Sequence, residues 1–255
     1  MDDAISARNR DFYELPETVE EYAHETHLWN EERYIFDRFD AHIRHQPVLD
    51  IGCGGGRTTQ ALLDRSAKYT GLDYSLKMIE VCRGKWPSVT FVHGDASDMH
   101  MFGDQSFSFV LFSFNGIDSM AHDRRIAVLR EVYRVLKPGG VFAFSSHNRD
   151  DKRIVTALDL RDWSLKRNLR YLRSYLSVRK LQVRTESYAI LSDPLAGFGY
   201  LTYYICKSDQ VRQLEQAGFT DIVILNQGCE VVAPEPRDRL NKWFHYVARK
   251  PDQNA

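Results

Sequence analysis

The stretch "VLDIGCGGGRTTQ", Val48–Gln60, constrains this chain more than any other. An apolar run carrying Asp50 ends at Ile51, and glycines then recur at 52, 54 and 56. Glycine lacks a Cβ, so it permits a tight turn and lets a ligand approach the backbone. A polar run suited to a helix follows. A turn from strand to helix offers free amides and the positive end of the helix, which suits a nucleotide. A dinucleotide fold asks for GxGxxG, whose third glycine lets the helix pack on the strand. Gly52 and Gly54 fit that spacing, but Arg57 stands at the third position, which argues against a nicotinamide dinucleotide.

Beyond the turn, apolar runs alternate with helical stretches. Strands are expected at Val48–Ile51, Lys68–Asp73, Val89–His93, Phe107–Phe114 and Val141–Ser146, and helices at Thr58–Asp64, Ser75–Arg83 and Arg124–Leu136. In the last helix Ile126, Leu129, Val132, Tyr133 and Leu136 recur at helical spacing, and "KPGG" (Lys137–Gly140) is expected to end it. Such alternation implies a mostly parallel sheet with helices on both faces. Residues 17–44 mix dense charge with Tyr22, Leu28, Trp29, Tyr34, Ile35, Phe36 and Phe39, which reads as one or two helices stopped by Pro47.

Residues 151–206 break the pattern. Leu165, Leu169, Leu172 and Leu176 form a helical stripe, and Val183–Leu191 and Tyr200–Cys206 read as a β pair. That segment is too short for a core of its own, so it reads as an insertion. Ser208–Ala217 reads as a helix closed by Gly218, and "FTDIVIL" and "WFHYVARK" as two final strands. The expected organisation is a single α/β domain in 255 residues: an N-terminal helical cap over 1–45, a core over 46–148, a lid insertion over 151–206, and a C-terminal helix with two strands over 207–250.

Charge and cysteine usage narrow the function. A net charge of −1 gives no general pull toward nucleic acid or a membrane surface. Cys53, Cys82, Cys206 and Cys229 make no CxxC pair, so neither zinc nor a redox dithiol is suggested. His24 and His27 sit three apart on a helix, but no third ligand accompanies them, and no metal is expected. The polar N-terminus lacks the apolar core of a secretory signal, and no apolar run approaches the ~20 residues of a membrane span. A reduced, cytoplasmic compartment is the resulting expectation.

Five segments, in order and spacing, resemble the class I S-adenosylmethionine-dependent methyltransferases. "VLDIGCGGG" resembles their first motif, "YTGLDYS" their second strand and "FVHGDASDM" their third. "FSFVLFSFN" is similar to the fourth-strand motif, and "LREVYRVLKPGGVFAFSS" to the helix, turn and strand that follow it. The resemblance implies a Rossmann-like seven-stranded sheet, with S-adenosyl-L-methionine as methyl donor and S-adenosyl-L-homocysteine as product. It assigns Asp73 to the ribose hydroxyls and Asp95 to the adenine amino group. A carboxylate accepts two hydrogen bonds at once, so it can clamp a diol. Plainer roles compete: Asp73 as a cap or turn residue before the helix at Ser75, Asp95 as an ordinary loop acid. Gly52 and Gly54 are expected to admit the donor, and Asp50 to orient the turn or to reach the methionine amino group indirectly. Tyr74, Ala96 and Phe112 line the adenosine on this reading, or simply pack the core.

Methyl transfer from a sulfonium is an in-line displacement. The enzyme holds the acceptor in line and, for some acceptors, removes a proton. In an open α/β sheet the site lies at the carboxyl ends of the strands. Ser113, Phe114 and Asn115 follow the fourth strand there, and His147 and Asn148 the fifth. His147 is the candidate general base, because imidazole titrates near neutral pH, and Asn115 the candidate polar contact. Tyr22 and His24 are expected to close over the donor. In the insertion, Arg161, Lys166, Arg167, Arg170, Arg173, Arg179, Lys180 and Arg184 face only Asp162 among acids. That is either a solvated helix face or a site for an anionic acceptor. The reading is O- or N-methylation of a small metabolite of sugar, nucleotide-linked or natural-product type, compatible with a homodimer. Its rivals are an RNA methyltransferase using the basic insertion with Tyr171 and Tyr175, and a silent S-adenosylmethionine-binding module.

Overall fold

The structure is a computed structural model, and it describes residues 2–151, 173, 176–192 and 200–252. Four helices come first: α1 (Asp2–Tyr13), α2 (Pro16–His24), α3 (Asn30–Arg38) and α4 (Asp40–Ile43). The alternating core follows with β1 (Val48–Ile51), α5 (Thr59–Leu63), β2 (Tyr69–Asp73), α6 (Leu76–Lys85), β3 (Thr90–His93) and β4 (Phe107–Phe112). A 3₁₀ turn (Gly116–Ser119), α7 (His122–Val135) and β5 (Leu136–Asn148) complete that part. Then come β6 (Val183–Arg184), β7 (Tyr188–Ser192), β8 (Leu201–Ile205), α8 (Lys207–Gln216), β9 (Thr220–Leu225) and β10 (Trp243–Arg249).

Seven of these strands form the sheet that the sequence implies, in the order β3-β2-β1-β4-β5-β10-β9. Neighbours from β3 to β5 run parallel, and β10 runs antiparallel between β5 and β9. All four residues of β1 are buried, as expected of a strand covered on both faces. Its residues alternate between two cores. Leu49 and Ile51 pack with Val110, Phe112, Leu129 and Leu214 on one face. Val48 packs with Phe36, Ile79, Phe109 and Leu111 on the other.

Among the described residues the sheet has ten strands rather than seven. The extra three come from the segment read as a lid hairpin. β4 leaves β5 at Phe112↔Phe144, and β8 takes the vacated edge further along, at His147↔Tyr204 and Asn148↔Ile205. β7 and β6 extend from β8 in antiparallel steps. An unpaired strand edge is costly, and this pairing covers it. The leucine stripe at Leu165, Leu169 and Leu172 lies outside the described residues; Leu176 is exposed.

Two other expectations need correction. The α7 helix stops at Val135, so Lys137–Gly140 lies inside β5 rather than forming a separate stop. Lys250 closes that helix instead, its Nζ donating to the carbonyls of Tyr133 at 2.7 Å and Leu136 at 2.8 Å. The N-terminal region holds α1 in addition to three short helices, where one or two were expected. Its polar sequence hides a docking face built on Ile5 and Asn9, both buried. Asn9 Nδ2 donates to Leu201 O at 2.8 Å, and its Oδ1 accepts from Leu201 N at 2.9 Å. No helix among the described residues is long and apolar enough to cross a membrane.

Asn9→Ala removes two hydrogen bonds to the buried backbone of Leu201. Thermal or urea unfolding should show a loss of about 2–3 kcal/mol. An unchanged midpoint would mean that α1 does not dock through Asn9.

Candidate active site

At the carboxyl ends of β1, β2 and β4 the strands part around a cleft of about 580 Å³, open to solvent. Of the residues singled out from sequence, Gly52, Gly54, Asp73, Tyr74, Ala96 and Phe112 line it. Tyr13, Tyr22, Ser113, Phe114 and Met120 line it too. Gly52 and Gly54 have φ of 62° and 53°, a region that L side chains rarely adopt. A Cβ on Gly52 would lie 2.7 Å from the Phe112 ring, and one on Gly55 2.3 Å from the carbonyl oxygen of Tyr22. The end of α2 therefore rests directly on the turn. Lys85 Nζ ties the two together by donating to the carbonyls of Ala23 and Gly55.

Asp73 ends β2 and is buried at the cleft. Its Oδ2 accepts from Gly54 N and its Oδ1 from Ser75 N, each at 2.8 Å. The cap of α6 is Ser75, whose hydroxyl accepts from Met78 N, so Asp73 does not cap the helix. Burial pushes the Asp73 carboxyl up to about 6, against the pull of the two amides. Asp50 does not reach the cleft. It lies beneath the turn, where Oδ2 accepts from Thr58 Oγ1 at 2.6 Å and Tyr69 OH at 3.0 Å. Burial raises its carboxyl to about 7.

Two smaller clefts adjoin the main one. The first shares Tyr22, Gly52, Gly54, Ser113 and Phe114 with it and adds Glu25, Arg57 and Thr58. The second shares Tyr74, Ser119 and Met120 and adds Ser6, Arg10, Asp95 and Arg124. Asp95 thus faces this side cleft. Its Oδ2 takes Arg124 Nη1, and its Oδ1 accepts from Ser97 N and Oγ at 2.8 and 2.7 Å. Burial would raise this carboxyl, but the Ser97 bonds and the Arg124 charge outweigh it and hold it below the usual carboxylate range. Of the two N-terminal residues expected over the donor, Tyr22 lines the main cleft and His24 is exposed and lines none of the three.

Arg57, the residue at the third glycine position, is a structural bolt. Its Nη1 donates to Glu32 Oε2 at 2.7 Å, and its Nη2 to Glu32 Oε1 and to Ser113 Oγ, the latter at 3.1 Å. Its guanidinium lies 4.7 Å from the centre of the Phe114 ring. Both partners of the ion pair are buried, so α3, the turn and the end of β4 are held in one geometry.

Asn115 and His147 meet beside the cleft. Asn115 lies between the lining residues Phe114 and Gly116, in a left-handed conformation with φ of 54°. Its Nδ2 is 3.4 Å from His147 Nε2. His147 is braced from behind by Asp118, 2.8 Å from its Nδ1. Asp118, the Glu32–Arg57 pair and Tyr13 were not singled out from sequence. Asp118 and His147 stand 29 residues apart, and no local spacing links them.

These features together define a Rossmann-like nucleoside-binding fold with its site at the carboxyl edge of the sheet. Residues 48–140 match the family described as "Methyltransferase domain". The demethylmenaquinone methyltransferase of Paenarthrobacter aurescens (strain TC1) is 29% identical over 237 residues, covering 90% of this chain and 79% of that protein. The fatty-acid O-methyltransferase of Mycolicibacterium smegmatis is 39% identical over 109 residues, 41% of this chain and 38% of its own length. Apart from the first, the chain spans about half the length, or less, of the curated relatives it matches. The structure of Burkholderia thailandensis 1,6-didemethyltoxoflavin-N1-methyltransferase, with 1,6-didemethyltoxoflavin and S-adenosylhomocysteine bound, shares the fold. It has a TM-score of 0.60 over 98% of this chain and 89% of that one, at 16% identity. Residues 48–140 form a class I S-adenosylmethionine-dependent methyltransferase domain, and its cofactor is S-adenosyl-L-methionine.

Asp50 makes a pH prediction. Its folded carboxyl holds a proton to about 7, whereas the unfolded one loses it near 4. It therefore favours folding at low pH, and this contribution fades as pH rises through 7. Asp50→Asn keeps an oxygen for Thr58 and Tyr69 but cannot ionise. Its melting temperature should fall less than wild type between pH 5 and pH 8. Parallel curves would show that Asp50 ionises at no cost to the fold.

Proposed function

We propose that the protein transfers a methyl group from S-adenosyl-L-methionine to an oxygen or nitrogen of a small metabolite. The observation that carries this reading is Asp73, a buried carboxyl hydrogen-bonded to a bare glycine turn at the edge of the cleft. The residues present fit the donor. Each Asp73 oxygen accepts one amide and retains a lone pair, enough for two ribose hydroxyls. Tyr74, Ala96 and Phe112 wall the adenosine. Asp95 takes the adenine amino group from the side cleft, where it also holds Arg124. Glu25 and Arg57 offer both charges to the amino-acid end of the donor. When bound, the donor supplies a methyl group on a positively charged sulfur.

The acceptor sits on the far side of Phe114, where Asn115 orients it and His147 takes its proton. The similar proteins include an N-methyltransferase and an O-methyltransferase, so both atoms stay within the proposal.

Calorimetry with S-adenosylhomocysteine tests the donor site, with NADH as the control. Asp73→Ala should weaken binding by about 1–3 kcal/mol, the cost of losing a charged hydrogen-bond partner. Unchanged affinity in a folded variant would remove Asp73 from the donor site. His147→Ala should bind S-adenosylhomocysteine normally and lose roughly 10²–10⁴ in turnover. Full activity in that variant would remove His147 from the chemistry.

A further inference from the structure

His147 belongs to a buried chain of hydrogen bonds. Asp118 Oδ2 accepts from the His147 backbone N–H at 2.6 Å and faces His147 Nδ1 at 2.8 Å. Asp118 Oδ1 accepts from Arg125 Nη1 at 2.6 Å and from Ser146 Oγ at 2.7 Å. Three donors and the Nδ1 of His147 thus surround a carboxyl group that is 1% exposed. Arg125 is fully buried, with its guanidinium 4.5 Å from the centre of the Tyr203 ring, and it also donates to Ser146 Oγ and Gln210 Oε1. A guanidinium keeps its charge at any physiological pH, and burying it demands a counter-charge. Asp118 supplies that charge, so toward His147 it acts as an acceptor. The proton of a neutral imidazole must then sit on Nδ1, and the lone pair on Nε2. Nε2 is the nitrogen that faces Asn115, between the cleft residues Phe114 and Gly116 in the chain. The 3₁₀ turn serves both sides at once, since Gly116 and Ser119 line the donor cleft while Asp118 points to His147.

Extending the methyl-transfer reading, on which this inference rests, we propose that Asp118 is the positioning residue that commits His147 to accept a proton at Nε2. The methyl acceptor is then a weakly acidic ring hydroxyl. A carboxylic acid has already lost its proton at neutral pH and has no use for a base. An aliphatic alcohol is a far weaker acid than a phenol, which titrates near 10 like tyrosine, so the phenol asks least of an imidazole base. An alkylammonium matches the phenol in acidity, but the Phe114 face already carries the Arg57 guanidinium, 4.7 Å from the ring centre, and a second cation beside it is repelled. Phe114 is 36% exposed at the cleft, and the Tyr204 ring lies 5.3 Å from the imidazole. Such faces favour a planar acceptor. At transfer the O–H bond breaks and its proton goes to Nε2, while an oxygen lone pair forms the O–CH3 bond. The C–S bonding pair leaves with sulfur, which becomes neutral, and the imidazolium returns its proton to water.

The first test needs no turnover. In protein labelled with ¹⁵N-histidine and saturated with S-adenosylhomocysteine, the NMR signals of His147 should show the Nδ1–H form. In Asp118→Asn the new amide turns its oxygen to Arg125 and an N–H to His147, so the signals should move to the Nε2–H form. An Nε2–H imidazole in wild type, or no change in Asp118→Asn, overturns the positioning role. The second test offers labelled donor with a series of substituted phenols of graded acidity and with palmitate. Asp118→Asn should lose 10²-fold or more in kcat on the least acidic phenols, with donor KM unchanged, and the loss should shrink as the phenols become more acidic. His147→Gln should show the same graded loss, which covers the case where Asp118→Asn does not fold. Transfer to palmitate at the rate of the phenols, or to no phenol although S-adenosylhomocysteine binds, overturns the acceptor class. Failure of S-adenosylhomocysteine to bind overturns the donor site instead, so the two readings fail separately.

Discussion

A turn that runs through positive φ at three alternate positions, with neighbours packed where a Cβ would stand, calls for glycine, and the site is built to its bareness. Phe112 presses on Gly52, the Tyr22 carbonyl on Gly55 and the Trp86 ring on Gly56, each closer than a Cβ would allow. The strand before the turn is buried on both faces, so it cannot slide to relieve a clash. The turn therefore fixes where the N-terminal helices sit, how deep the cleft runs and which side of Asp73 faces it. Much of what surrounds the cleft can be read as packing around missing side chains.

Two buried ion pairs flank this arrangement and act alike. Arg57 with Glu32 binds the helical cap to the turn, and Arg125 with Asp118 binds α7 to the 3₁₀ turn. Buried charge pairs are poor sources of net stability, because desolvation offsets their attraction. What they give is direction, since a guanidinium fork holds a carboxylate in few orientations. Each pair also donates to a serine at the end of a central strand, Ser113 for Arg57 and Ser146 for Arg125. The cleft is therefore framed by charge geometry on one level and by apolar packing on the other.

Local signals in the sequence were faithful. The strand-to-helix spacing gave β1 to its last residue, and the acid after "YTGL" falls at the cleft edge, because both depend on neighbours within a few positions. Long-range pairings left no such trace. Helix α1 buries only Ile5 and Asn9 among its described side chains, too few for a periodic pattern. Nothing in "LTYYI" announces that Tyr204 will lie beside His147, because register across a sheet is chosen by the partner strand. Asp118 looks like a loop acid until Arg125, one helix turn into α7, is seen folded onto it. Asp95 kept its place in the chain but gained Arg124 as a companion, which sequence spacing did not indicate.

Arg57 gives the fold a historical inertia. A turn that accepted a nicotinamide dinucleotide would want glycine at this position, and the change looks minor on paper. In this protein it would strand Glu32 as a lone buried charge, free Ser113 and loosen the cap from the turn. The choice of cofactor is thus guarded partly by a contact between a helix and a loop, and a drift toward another nucleotide would have to rebuild the N-terminal third of the chain first.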